Sequence, residues 1–235
     1  MQAVLVNWAE HQWLRALDAA FADFLWREVP AAPPFLILAA ALASHQLGRG
    51  HVCLDLAATL KAPASALSLP PDCENVVDGA AEADSPPLPT EVLAGLSLEQ
   101  WQAALEHPLL VGSGAGNTPL VRVGPRLYLR RFWQYEEDVR NAVERRLALS
   151  ATWQAALPQD ALRGILDQLF PPAAAAEAAT DWQKIACALA VRSGFSIVTG
   201  GPGTGKTTTV VRLLALLQAL AFAVSSAGES PRPLR

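Results

Sequence analysis

Eight residues, Gly200-Gly201-Pro202-Gly203-Thr204-Gly205-Lys206-Thr207, restrict the fold more than any other part of this 235-residue sequence. They fit the pattern G-x-x-x-x-G-K-[ST], and their flanks supply the context that pattern requires. Phe195 to Thr199 is a short β-rich run. Lys206 to about Val224 carries Val210, Leu213, Leu214, Leu217 and Leu220 on one helical stripe. Strand, glycine-rich loop and helix in that order predict the opening of an α/β nucleotide-binding domain. The glycines let the backbone wrap tightly, so that successive N–H groups point at phosphate oxygens. The helix N-terminus adds a favourable dipole. Lys206 is placed to reach the β- and γ-phosphates, and the Thr207 hydroxyl to ligate Mg²⁺. The expected binding residues are Gly200, Gly201, Pro202, Gly203, Thr204, Gly205, Lys206, Thr207 and Thr208, with ATP and Mg²⁺ as cofactors. Lys206 and Thr207 are the expected catalytic pair.

Gln183 lies 17 positions before Gly200, on the helix expected over Asp181 to Arg192. A glutamine amide can pair with N6 and N7 of adenine, donor to acceptor and acceptor to donor. The same residue also completes a local pattern, Thr180-x-x-Gln183, that reads as a helix capping box. Spacing alone leaves both readings open. Beyond Thr207, a P-loop motor needs an acidic pair on a second strand and an arginine finger. The 28 residues that follow hold one acid, Glu229, and no apolar strand ending in Asp or Glu. On its own the chain is therefore expected to bind nucleotide without hydrolysing it, as a piece of a larger motor or as a short protein.

Upstream, apolar periodicity predicts a helix over residues 8–28, carrying Trp13, Leu14, Leu17, Phe21, Phe24 and Leu25. A second helix is expected from Phe35 to Gln46, and a short element within His51 to Leu60. Residues 62–90 form an acidic, Pro-rich loop. Ser97 and Gln100 make a capping box ahead of Trp101 and Leu105. Leu109 to Val111, Leu120 to Val123 and Leu127 to Phe132 read as strands around a Gly124-Pro125 turn. Helical periodicity resumes over Glu136 to Trp153 and Asp160 to Phe170, and the Ala-rich stretch 171–180 reads as a linker.

Charge divides along the same line. Residues 1–109 carry four basic and 13 acidic groups, whereas residues 110–235 carry 14 basic and nine acidic. Seven Arg, interleaved with Tyr128, Phe132, Trp133 and Tyr135, fall between Arg122 and Arg146. They read either as a surface for DNA or a partner, or as a solvated helix face with an Arg140–Glu144 pair. Of the 18 basic residues 15 are Arg, the mark of GC-rich coding, so Arg abundance alone says little about DNA. Three scattered cysteines, Cys53, Cys73 and Cys187, form no disulfide or zinc framework, as expected for a reducing cytoplasm. No secretory signal is read at Met1 to Trp13, and no apolar stretch is read as reaching the roughly 18 residues of a membrane span.

Phe195 to Thr209, Phe-Ser-Ile-Val-Thr-Gly-Gly-Pro-Gly-Thr-Gly-Lys-Thr-Thr-Thr, resembles the first ATP-binding motif of the RecD helicases, the alpha subunits of bacterial exodeoxyribonuclease V (RecBCD). Asp181-Trp182-Gln183-Lys184 with Ala186 resembles the adenine-contacting motif of that family. Ser44 to Leu56, containing Gly50-His51-Val52-Cys53-Leu54-Asp55-Leu56, resembles its amino-terminal domain, and Leu127 to Glu136 resembles the end of that domain. The resemblance implies a superfamily 1 DNA helicase subunit that moves 5′ to 3′ along DNA by ATP hydrolysis. It works in a complex that processes broken ends for recombinational repair. It also implies docking on RecB-like and RecC-like partners, with no membrane role, and puts Gln183 at the adenine. The expected fold is α/β. A helical partner-docking domain over 1–110 is completed or linked by a β-hairpin and helices over 111–170. A linker over 171–180 then leads into the start of a RecA-like ATP-binding domain over 181–235. A different P-loop ATPase of the AAA+ type and a non-enzymatic assembly module are the alternatives.

Overall fold

The computed structural model describes residues 1–71, 85–171 and 180–224. The chain forms two compact units, Met1–Glu137 and Asp138–Arg235.

In the first unit, α1 (Gln2–Glu10) and α2 (Ala16–Glu28) replace the single helix expected over residues 8–28. The break has a tertiary cause. Gln12 takes a left-handed φ of 61°, and the Trp8 carbonyl accepts from the backbone N–H groups of both Trp13 and Leu14. Asp18 restarts the helix, accepting from the Arg15 N–H at 3.0 Å. Its buried carboxylate also takes the Arg15 guanidinium at 2.6 Å and the Ser44 hydroxyl at 2.6 Å. Because the helix restarts, Leu14 and Leu25 are buried while Leu17 and Phe24 face solvent.

α3 (Pro34–Gly48) starts at a proline, whose missing N–H costs nothing in a first turn. Every residue from Leu36 to Gln46 is buried, so this helix is covered on all sides. The polar groups that sit on it are satisfied. His45 Nε2 lies 3.0 Å from the Leu67 carbonyl, and Gln46 donates to the Ala66 carbonyl at 2.7 Å.

β1 (Leu54–Asp55), α4 (Leu56–Lys61), α5 (Pro63–Leu67), α6 (Pro89–Val92) and α7 (Leu98–Ala104) follow, and β1 and α7 pack against α3. The capping box at α7 forms as expected: Ser97 Oγ accepts from Gln100 N, and Gln100 Oε1 from Ser97 N at 2.9 Å. Two indoles make long-range bonds, Trp8 donating to the Pro87 carbonyl at 2.8 Å and Trp101 of α7 to the Phe35 carbonyl of α3 at 3.1 Å. Residues 72–84 of the expected acidic loop lie outside the described residues.

β2 (Val111–Gly112), β3 (Leu120–Val123) and β4 (Arg126–Leu129) join β1 in a sheet of order β1-β4-β3-β2. The β2–β3 pair is parallel and the other two are antiparallel. Gly124, at φ 57°, makes the hairpin turn where expected. Leu54, Leu120 and Leu127 share the face turned to the core. The strand pattern stops at Leu129, and Phe132 belongs instead to α8 (Arg130–Ala148). Arg130 begins that helix with its guanidinium donating to the Thr118 and Gly114 carbonyls, which anchors the preceding loop and ends the strand. α8 buries no side chain, and Arg140 pairs with Glu144 at 2.8 Å on its surface.

α8 runs across the division between the units. The second unit continues with α9 (Ser150–Ala156), α10 (Gln159–Leu169), α11 (Trp182–Ala190) and α12 (Lys206–Val224). Its small core brings Leu162, Leu166 and Phe170 against Cys187, Val191, Leu216 and Leu220. The packing thus divides the 111–170 stretch, its hairpin lying in the first unit and its last helix in the second. Residues 172–179 of the expected linker lie outside the described residues.

Two expectations need correction here. Phe195 to Thr199 forms no β-ladder, because none of the described residues offers it a strand to pair with; Ile197 is accordingly 75% exposed. Also, α12 is apolar enough to reach membrane-spanning length, 18 residues over Lys206–Ala223, where the sequence reading found none. Lys206, Arg212 and Gln218 interrupt the apolar residues without lowering the average enough. The helix packs through Thr209, Leu216 and Leu220 against its neighbours, while Val210, Val211, Leu214 and Phe222 stay exposed.

Candidate nucleotide-binding site

The loop between Thr199 and Lys206 is shaped by its glycines. Gly203 and Gly205 adopt φ values of 77° and 76°, in the left-handed region that a Cβ disfavours. At Gly200 a Cβ would lie 2.6 Å from Thr204 Oγ1. That hydroxyl donates to the Gly201 carbonyl at 2.9 Å and closes the loop on itself. Space above Gly203 is open. Thr209 is the first residue of α12 whose N–H reaches back to a carbonyl, that of Gly205 at 2.9 Å. Among the described residues, the N–H groups of Lys206, Thr207 and Thr208 have no backbone acceptor. Free N–H groups, a helix N-terminus and a lysine in one turn suit a polyphosphate. The loop therefore fits the phosphates of a nucleotide.

Lys206 folds over the loop. Its Nζ donates to the carbonyls of Gly200 at 2.7 Å and Gly201 at 2.6 Å. These bonds hold the ammonium over the residues that would surround a phosphate. Thr207 and Thr208 stand exposed at the start of α12. Pro202 lies exposed at the tip of the loop.

Gln183 is brought to the same loop by α11, and not by a local cap. The N-cap of α11 is Asp181, whose carboxylate accepts from Lys184 N at 2.9 Å. Thr180 makes no such bond, so the Thr180–Gln183 capping box does not form. Gln183 Nε2 instead approaches the Thr204 carbonyl at 3.4 Å, and Arg212 donates to its Oε1 at 3.3 Å. Lys184, next to it, pairs with Asp167 of α10 at 2.7 Å. Cys187, one turn further, lies 3.6 Å from the Thr209 carbonyl, and burial raises its thiol pKa. Arg212 escaped the sequence reading, which followed only the apolar stripe of α12. The available signal was a second cation, six residues past Lys206, in a largely apolar helix.

In the first unit, the two segments that resemble one family domain converge. Cys53 and Asp55 from one, and Arg126, Tyr128 and Glu136 from or beside the other, line a cavity of about 410 Å³. Burial, together with Cys53 and Glu136 nearby, pushes the Tyr128 hydroxyl up to about 12. Of the Arg cluster, Arg130 is committed to the loop at 114–118, and Arg131 donates to the Tyr135 hydroxyl at 2.6 Å. Among the described residues no group of His, Cys, Asp and Glu is arranged to hold a metal ion.

Comparison with known proteins finds two matches, one within each unit. Residues 183–229 match a family described as an AAA domain, which begins at Gln183 and takes in the whole loop. The match fits an α/β P-loop fold in the second unit. Residues 10–128, about half of the chain, match the amino-terminal domain of the RecBCD enzyme subunit RecD. The chain belongs to the RecD family. It is 39% identical over 132 residues to the RecBCD enzyme subunit RecD of Haemophilus influenzae, covering 55% of this chain and 20% of that one. With the same subunit of Mycolicibacterium smegmatis it shares 37% over 183 residues, or 77% of this chain and 25% of the relative. With that of Mycobacterium tuberculosis it shares 41% over 107 residues, or 46% and 16%. The chain spans a quarter or less of the length of these curated relatives.

Proposed function

We propose that this chain is the amino-terminal, ATP-binding part of a RecD-type subunit of an exodeoxyribonuclease V complex. The observation that carries the reading is the joint placement of Lys206 and Gln183 on one glycine-rich loop. One meets the phosphate end of a nucleotide and the other the base. Mg²⁺-ATP binds through the backbone N–H groups from Gly203 to Thr208, with Lys206 on the β- and γ-phosphates and Thr207 on Mg²⁺. Gln183 reads the adenine. Mg²⁺ withdraws charge from the phosphates when bound, and Lys206 stabilises the charge that develops on the transferred group. In the whole subunit, ATP hydrolysis drives 5′ to 3′ movement along single-stranded DNA and so helps unwind broken duplex ends in the cytoplasm.

The first unit supplies the assembly surface for RecB-like and RecC-like subunits. The family match over residues 10–128, which stops well before the loop, supports a role for that unit separate from nucleotide chemistry. The full-length subunit with both partners should show ATP hydrolysis stimulated by single-stranded DNA, abolished by Lys206→Ala without loss of assembly. Hydrolysis that ignores DNA would point to a different AAA-type ATPase. Normal unwinding by the Lys206→Ala complex would reduce the chain to an assembly module.

A further inference from the structure

Resting on the adenine reading just given, we infer that Arg212 is a positioning residue. It locks the Gln183 amide in one orientation and so sets the preference of the site for adenine over guanine. The two ends of a glutamine amide are nearly the same size, and its neighbours decide which way it turns. Here the neighbours leave one choice. Arg212 Nη1 lies 3.3 Å from Oε1, and a guanidinium only donates. The Thr204 carbonyl lies 3.4 Å from Nε2, and a carbonyl only accepts. Half a turn of the amide would set two donors and two acceptors against each other. The fit is close, since a Cβ on Gly205 would stand 2.6 Å from Nε2.

Arg212 is itself held in place. It projects from α12 six residues beyond Lys206, and its Cζ sits 4.7 Å from the centroid of the Phe170 ring. That ring is buried at the end of α10, and a guanidinium over an aromatic face is an attractive contact. Phe170, Arg212, Gln183 and Thr204 thus form one line of contacts joining three helices to the phosphate loop.

The lock has a chemical consequence. With one lone pair of Oε1 and one N–H of Nε2 engaged, the amide keeps one acceptor and one donor in a fixed order. Adenine offers the complement, an N6 donor beside an N7 acceptor. Guanine offers two acceptors, O6 and N7, and would set O6 against Oε1. Freed from Arg212, the amide also populates the reversed order, which opposes both adenine groups; guanine meets one match and one clash either way, so the discrimination falls through weaker adenine binding.

The test uses the full-length subunit and three ligands, Mg²⁺-ATP, Mg²⁺-GTP and inorganic tripolyphosphate, titrated by calorimetry. In Arg212→Met the ratio of ATP to GTP affinity should drop about twofold, as about half of the amide population turns away from adenine. Tripolyphosphate affinity should stay unchanged, and Arg212→Lys should recover most of the ratio. Gln183→Ala should lose the ratio as well, and adding Arg212→Met to it should change nothing further. An unaltered ratio in Arg212→Met overturns the inference. So does an equal loss for all three ligands, which marks a purely structural role. Should Arg212→Met not fold, an unaltered ratio in Arg212→Gln decides in the same way. If the unsubstituted protein binds tripolyphosphate but does not prefer ATP to GTP, the inference fails while the phosphate site stands. If it binds no ligand, the proposed function fails first.

Discussion

The most apolar helix of the first unit, α3, is buried from Leu36 to Gln46. Its counterpart in the second unit, α12, is buried over only 17% of its apolar window. The contrast separates two designs. α3 is wrapped by helices and a sheet that belong to the same 137 residues, and its polar side chains find carbonyls within that wrapping. α12 touches neighbours along one stripe, while Val211 and Leu214 on its other sides face outward. The same holds for Ile197, in the segment leading into the phosphate loop. A buried helix makes a unit that stands by itself. A half-covered helix beside an unpaired strand segment makes a unit whose stability responds to what binds it.

Trp101→Ala should break this comparison most severely. The indole is fully buried in the first core and donates to Phe35, so its loss should cost about 3–5 kcal/mol. Urea unfolding should show the first unit lost at lower denaturant, with nucleotide affinity of the second unit unchanged. Saturating Mg²⁺-ATP should act in the opposite place. At a hundredfold excess over Kd it should stabilise the second unit by about 2.7 kcal/mol. Emission from Trp153 and Trp182 should report that shift, in variants where the five tryptophans of the first unit are replaced by Phe.

Smaller effects sharpen the same contrast. Ser97→Ala removes the cap of α7 and should cost about 1 kcal/mol, read as a shift in the urea midpoint of the first unit alone. His45 gives a pH dependence. Burial lowers its pKa below the ordinary 6.5, against the pull of the Leu67 carbonyl and Asp18, with Arg49 and Arg15 lowering it further. The unfolded chain therefore binds the proton more readily than the folded one. The contribution of neutral His45 is complete above the ordinary value and is lost as pH falls through and below it. Between pH 7 and 5 the first unit should lose stability faster than its His45→Gln variant. A steeper loss in the variant would contradict this.

The sequence was most legible where structure is local. Ser97 and Gln100 cap a helix three residues apart, Gly124 turns a hairpin, and the glycine-rich loop carries its own backbone demands. Legibility failed where distant residues decide. The break between α1 and α2 depends on Asp18 meeting Ser44, 26 residues away, and no periodicity in residues 8–28 records that. Phe195 to Thr199 has strand composition, but a ladder needs a second strand. Gln183 looked like a cap because Thr180 precedes it at the right spacing, while Asp181 offers a carboxylate one residue closer to the helix. The site is read from sequence as a phosphate loop; the contact that carries Gln183 to it joins Gln183 to the Thr204 carbonyl 21 residues away, which only packing brings together.

Calorimetric titration of Mg²⁺-ATP into the protein and its Lys206→Ala variant tests the central claim most directly. The account predicts saturable one-site binding that the substitution abolishes, with the melting of the first unit untouched. Equal affinity in the two proteins would mean that the loop from Gly200 to Thr208 is not where the nucleotide binds.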